Sequence, residues 1–488
     1  MLTALLAASA GACGTRGPDG VGPGVLLIAV DGLRADHLHC HGYDRETSPV
    51  LDELARAGVR FEEVFASAPL PLPAHAALLS GCEPIQARRF LVPELEEKGE
   101  RRWHLSERLP RLAVEFLAAG YATAAFVEEP LLDPASGFGL GFQRYELLDP
   151  PSAQGWEGPQ DERVVEHFLT WLRALPAGRP WFAYLELNHL ERLWRERPTG
   201  EEYFPPRPEL DVIPPLASTD SVFFAVPRSR ARGGLRTLGQ YEAAYDDELR
   251  RVDAQLGRCL ATLRRLGRDA ATTVSVVGTY GQQLGEAGLY LCAGRYSVAD
   301  LHVPWILRPA AASGIAPGAR VGGLVSTLDV APTLLDLAGL ERPPLVHGHS
   351  QAATLRGAPP AERPFVFASC GLQEGCAVIG TRHALEYLVP LATADAQLRR
   401  SWTGFWSPPS LQPRLLYYDR RATPFPLPQD GWVEPGPELE PLRTAALEFL
   451  SDMNDLRIVL QSPRGVRKLD EAALERLRVR GYLGPASP

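Results

Sequence analysis

The chain has 488 residues, 45% of them apolar, and a formal net charge of −9. That length and apolar content provide for one large domain with a sizeable core plus a smaller unit. The acidic balance, with no cluster of basic residues, argues against nucleic acid as a partner.

The first thirteen residues are apolar and small, too short a run to span a bilayer as a helix. They end in Ala10-Gly11-Ala12-Cys13, and 14–24 reads as a linker. The expectation is a signal- and lipoprotein-like leader over 1–24, with a lipid anchor through Cys13 and an exported, periplasmic or membrane-anchored protein; a frayed tail is the alternative. Residues 25–30 are an unbroken apolar run closed by Asp31, the pattern of a buried parallel strand that presents a carboxylate at its carboxyl end. A short amphipathic helix follows over 51–58. Next comes Ala68-Pro69-Leu70-Pro71-Leu72-Pro73-Ala74-His75, a proline-set loop running into a helix that ends at Gly81. Helical spacing recurs over 106–119, with Ser106 as the cap candidate, and over 162–174 and 240–266. Strands are expected over 121–127, 181–187, 273–278 and 302–308. Residues 195–235 are rich in Pro, Arg and Gly and read as a surface insertion or pocket lid. Beyond about 364, short strands over 365–369, 377–379, 385–389 and 415–418 and a terminal amphipathic helix over 469–484 indicate a small sheet with a helix. Cys370 and Cys376 could close a disulfide after export; buried thiols are the alternative.

Several blocks, in order, carry a resemblance. They are Ala29-Val30-Asp31-Gly32-Leu33-Arg34-Ala35-Asp36-His37-Leu38, then Gly42-Tyr43-Asp44-Arg45-Glu46-Thr47-Ser48-Pro49, then Leu78-Leu79-Ser80-Gly81. Further on stand Tyr245-Asp246-Asp247-Glu248 with Val252-Asp253, and the run over 325–340. The chain resembles the sulfatases of the alkaline phosphatase superfamily. The resemblance implies an α/β fold: a mostly parallel sheet flanked by helices over 25–360, with a smaller C-terminal α+β subdomain over 361–488. It also implies a sulfuric ester hydrolase that uses an oxygen nucleophile and a divalent cation such as Ca²⁺ or Mg²⁺.

The chemistry departs from that pattern at each reacting position. The place of the nucleophile is taken by Pro71, which has no nucleophilic atom. The metal-binding Asp-His or Asp-Asn pair is replaced by Thr279 and Tyr280, which are expected to fill the former metal cavity. Glu191 stands where the leaving-group histidine belongs, and His189 holds the position of the preceding Asp. Asp31 remains as the one retained ligand, either a residual cation contact or a cap on the following turn. His75, beside the nucleophile's place, is an anion contact or a helix-start residue; His189 is an anion contact or a structural histidine. Arg34 is expected to anchor its loop. The main reading is a non-catalytic pseudo-sulfatase with a binding or accessory role, no expected cofactor and a sulfated or carbohydrate ligand. The alternatives are an ester hydrolase rebuilt around Asp31, His75, His189 or Ser67, with a residual divalent cation, and an exported carbohydrate- or peptide-binding protein.

Overall fold

The computed structural model describes residues 21–84, 109–148, 160–192, 203–216, 235–286, 290–294, 296–370, 375–388, 414–420 and 436–461, with a few isolated positions between them. The expected leader with Cys13, the Ser106 cap, most of the 195–235 insertion and nearly all of the helix over 469–484 lie outside the described residues.

Eight strands form the central sheet: β1 (Gly24–Asp31), β2 (Val59–Phe65), β3 (Ala122–Val127), β4 (Arg144–Leu147), β5 (Trp181–Leu187), β6 (Thr272–Tyr280), β7 (Trp305–Arg308) and β8 (Ala319–Ser326). Their spatial order is β8-β2-β7-β6-β1-β5-β3-β4. Every pairing is parallel except the two made by β7. β1 therefore lies inside the sheet, between β5 and β6, and buries both faces. Val25, Leu27 and Ala29 enter one hydrophobic core, and Leu26, Ile28 and Val30 enter the other. This double burial is why its sequence is an unbroken apolar run rather than an alternation.

The helices are α1 (Pro49–Ala57), α2 (Pro71–Ser80), α3 (Leu112–Ala118), α4 (Gln160–Ala174), α5 (Leu238–Arg265) and α6 (Val330–Leu337). α2, α3 and α6 cover the first face of the sheet, and α1, α4 and α5 the second. α3 is shorter than its periodicity suggests: it starts at Leu112 after Arg111, which is held in extended backbone, and Pro110 just before it disfavours a helix reaching further back. The block over 325–340 divides for a similar local reason. Ser326 ends β8 and caps a short turn at Thr327–Asp329, and the helix proper begins at Val330.

A second, antiparallel sheet is built from β9 (Val366–Ala368), β10 (Gly375–Ile379), β11 (His383–Leu388) and β12 (Arg414–Asp419), in that order. Helix α7 (Glu440–Gln461) lays Leu442, Ala446, Phe449 and Met453 on Cys376, Val378, Leu385 and Tyr417. The small sheet is joined to the large one by Ser369 N–H donating to the Ser67 carbonyl at 2.9 Å and by an Arg420–Glu63 ion pair. Cys370 and Cys376 are both buried and form no disulfide with one another. Among the described residues no helix is long and apolar enough to cross a membrane.

Candidate functional site

The carboxyl ends of β1, β5 and β6 converge with the first turns of α2, the place where open α/β sheets bind ligands. Asp31 closes β1, beside a register shift that pairs it with Tyr280 instead of Thr279. Two close approaches hold the surrounding loops. Gly32 has φ +75°, a left-handed conformation that favours glycine, and a side chain there would meet the Glu191 backbone nitrogen. A Cβ on Gly281 would lie 1.9 Å from the Ala299 carbonyl oxygen.

Asp31 is fully buried, and its carboxylate is surrounded by protein hydrogen-bond donors. The Thr279 hydroxyl donates to Oδ1, and the Tyr280 phenol donates to Oδ2 at 3.1 Å. The His75 ring reaches it through Nε2, 2.9 Å from Oδ1 and 3.1 Å from Oδ2. The other ring nitrogen of His75, Nδ1, is hydrogen-bonded to the Tyr184 hydroxyl. His75, Tyr184, Thr279 and Tyr280 are all buried, as is Glu186, two residues along β5. Glu186 Oε2 accepts from the Glu128 and Glu129 backbone N–H groups at 2.6 and 3.0 Å, while its Oε1 has no hydrogen-bond partner among the described residues. Burial, reinforced by the Asp31 charge, pushes the Glu186 carboxyl well above the ordinary range. Burial and the same charge push the Tyr184 and Tyr280 phenols well above theirs, which keeps both neutral.

Pro71 occupies the first position of α2, where its missing N–H costs nothing and its fixed φ suits the helix. It supplies no group to Asp31. Ser67, the nearest candidate replacement, is tied elsewhere: its backbone N–H donates to Thr327 Oγ1 at 3.0 Å, and the two hydroxyls lie 3.3 Å apart. His75 is buried and bridges Asp31 and Tyr184 inside the core. His189, in the turn His189–Arg192, points to α5, with Nε2 at 2.6 Å from Glu248 Oε2, and Asp161 accepts from its backbone N–H. Glu191 is half-buried near the Tyr280 phenol, whose upward shift its charge reinforces.

Arg34 anchors its loop, giving two bonds to Asp36 at 2.9 and 2.8 Å, one to Glu286 at 2.6 Å and one to the Gln282 carbonyl at 3.0 Å. The block around Tyr245 is scaffolding of the same kind. Tyr245 donates to the Gly32 carbonyl and accepts from Arg34 N–H; Asp246 binds His37, Tyr43 and Arg45; Asp253 takes the Val50 and Leu51 N–H groups at the start of α1. These contacts hold the β1 loop and the block over 42–49 onto α5.

Asp31, His75 and Glu186 each offer a donor atom within 4.8 Å of the others, a set able to hold a metal ion. It does not match a calcium-type centre, which takes six to eight oxygen ligands. The Asp31 oxygens already receive two hydroxyl donors, and one member of the set is an imidazole. Sequence reading did not single out Glu186 or Tyr184, since both lie inside an apolar strand; alternation along β5 puts 184 and 186 on the same face.

Comparison with known proteins agrees with this architecture. The family model described as Sulfatase matches residues 23–340. Arylsulfatase A of Homo sapiens is 26% identical over 370 residues, covering 70% of this chain and 68% of that protein. N-acetylgalactosamine-6-sulfatase of Sus scrofa is 27% identical over 374 residues, covering 70% and 66%. The phosphonate monoester hydrolase of Agrobacterium radiobacter superposes with a TM-score of 0.65 at 19% identity, over 89% of this chain and 96% of that one. A protein solved with its substrate D-glucosamine-2-N,6-O-disulfate superposes at 0.60 and 16% identity, over 91% and 100%. The sheet order, the Asp31 strand end and a match over most of the length lead to one assignment: this chain belongs to the sulfatase family.

Proposed function

We propose that the chain is a non-catalytic pseudo-sulfatase, an exported protein that keeps the family scaffold for a binding or accessory role toward a sulfated carbohydrate. One observation carries the reading: Asp31 is enclosed by hydrogen-bond donors from Thr279, Tyr280 and His75, in a cluster without accessible surface. A sulfate ester needs a nucleophile, charge to offset its three oxygens and a proton for the leaving group. At the positions the family uses, this chain has a proline at the head of α2, hydroxyl donors on β6 and a glutamate at 191. Losing a single electrostatic stabiliser typically costs about 10²–10³ in rate, and here the nucleophile is missing as well. The ligand class is supported by the family itself, and the export and lipid anchor through Cys13 by the leader's sequence.

The test is turnover of 4-nitrophenyl sulfate, 4-nitrophenyl phosphate and a phenyl phosphonate monoester by purified protein with Ca²⁺, Mg²⁺, Mn²⁺ or Zn²⁺, alongside metal analysis. The expected result is the rate of buffer alone and metal well below one ion per chain. Turnover at rates usual for the family, abolished by Asp31→Ala, would overturn the proposal. The Asp31, His75 and Glu186 set favours one second reading, an ester hydrolase rebuilt around a smaller ion. That reading requires one equivalent of tightly held metal, lost in His75→Ala and Glu186→Ala.

A further inference from the structure

A second concavity, of about 800 Å³, opens between α7, the edge strand β9 and the segment over 347–349. Its size falls within the range of small-molecule sites. Its floor is built by the end of α2. Gly81, in the left-handed region, closes that helix, and its carbonyl accepts from the His347 and Gly348 N–H groups at 2.8 and 2.9 Å. Gly348 is pressed so tightly on Leu328 that a Cβ would meet its carbonyl oxygen at 1.9 Å. This clamp sets Glu83, two residues past Gly81, against His347, whose Nδ1 accepts from the Glu83 backbone N–H at 3.3 Å.

Glu83 lines the groove at only 5% exposure, and its Oε2 has no hydrogen-bond partner among the described residues. A buried polar atom left in that state is costly unless something outside the fold completes it. The charges around it narrow what that can be. Arg363 also lines the groove, yet its guanidinium is spent on Asp329 through two bonds of 2.9 Å. His349 is held below its usual range by burial and by Arg363, so it is neutral. The lining also carries His347, and Glu440 and Glu448, exposed on α7, with Glu440 bridged by Arg443. Acceptors thus predominate, and among the described residues the one arginine on the lining, Arg363, is committed to Asp329. Phe365, Phe367 and Phe449 supply an apolar wall, with the last two rings stacked at 4.6 Å.

We propose that this groove binds a protonated amine carried on an apolar body, with the ammonium group on Glu83 Oε2 and the body against Phe365 and Phe449. Three N–H donors would satisfy the orphaned oxygen, and the aromatic wall would shield the pair from water. Burial, with Asp329 adding and Arg363 opposing, pushes the Glu83 carboxyl up to about 8. The acid is therefore mostly protonated at pH 7 before binding, and an ammonium ligand displaces that proton to the solvent. The inference stands apart from the Asp31 cluster and holds whether or not that cluster turns over an ester.

The probe is 2-phenylethylamine, titrated calorimetrically into the full-length protein at pH 7 in two buffers of different ionisation enthalpy. The uncharged 2-phenylethanol and the anionic 3-phenylpropionate serve as comparisons. Expected results are saturable binding of the amine alone and a buffer-dependent enthalpy that reports proton release. Glu83→Gln should weaken the amine roughly 10- to 100-fold, the range for a charge-assisted hydrogen bond. Thr444→Trp, on the exposed face of α7, should block the groove without touching the core. Equal binding of all three probes, no binding of the amine, or unchanged affinity in a folded Glu83→Gln protein would overturn the inference, as would undiminished binding in Thr444→Trp.

Discussion

At the scale of single residues, the Asp31 cluster is a set of mutual obligations. A buried carboxylate is tolerated because its oxygens receive donors, and the donors are placed by two elements: Thr279 and Tyr280 by β6, His75 by α2. Removing one leaves a charged acceptor underserved in a dry interior. Tyr280→Phe and Thr279→Val should each lower unfolding stability by about 1–3 kcal/mol in urea titrations. His75→Ala, which also opens a cavity and strands the Tyr184 hydroxyl, should cost about 3 kcal/mol or more. Pro71→Ser is the contrasting change. The position is the first of α2, and its burial is only partial, so fold and stability should hardly move. It should also confer no sulfatase activity, because the new hydroxyl meets no activated partner; assay of the variant with 4-nitrophenyl sulfate checks this.

At the scale of elements, α5 acts as the spine of the second face. Its first turn carries a capping box, with Thr237 and Gln240 exchanging side-chain and backbone bonds. Thr237→Ala should cost about 1 kcal/mol, readable in the same titration. Much of this level was legible from the sequence. The apolar run of β1, the helical spacing of α5 and the glycine past α2 each encode a local rule, and the structure follows it within a few residues. Other features were not legible, because they are made by contacts between distant segments. Glu186 and Tyr184 read only as members of a buried strand; nothing local announces that they meet His75. The start of α3 depended on Pro110 rather than on the periodicity before it. Cys370 and Cys376 stay buried thiols, and α7, far along the chain, covers Cys376 on β10. The departures at 71, 279 and 280 were visible as residue identities, but their collective effect on Asp31 emerges only when three elements come together.

At the scale of the whole molecule, several buried acids bind protons more tightly folded than unfolded. Burial pushes Asp161 up to about 6, Asp253 up to about 7 and Glu83 up to about 8. The unfolded chain releases these protons near pH 4, whereas the folded chain keeps them until pH passes each raised value. Over that window the native state holds more protons than the unfolded state, so stability falls as pH rises. These three acids therefore contribute stability that is greatest on the mildly acidic side and declines between about pH 5 and pH 8, opposed below about pH 6.5 by His41, His302 and His349, which burial holds below their usual range and which the unfolded chain protonates first. Thermal melts across that range check the slope. Asp253→Asn should remove its share between about pH 4 and 7 while retaining a carbonyl oxygen for the Val50 and Leu51 N–H groups.

The way Asp31 is shared among β6 and α2 also bears on the history open to this sequence. A mutation that restored a carboxylate at 279 would set a third buried acid beside Asp31 and Glu186, with no cation yet guaranteed to neutralise it. A mutation that released His75 would unfasten the knot before any nucleophile existed to profit from the vacancy. On the non-catalytic reading proposed above, each single step toward hydrolase chemistry runs uphill, so the path is barred in the manner of a ratchet.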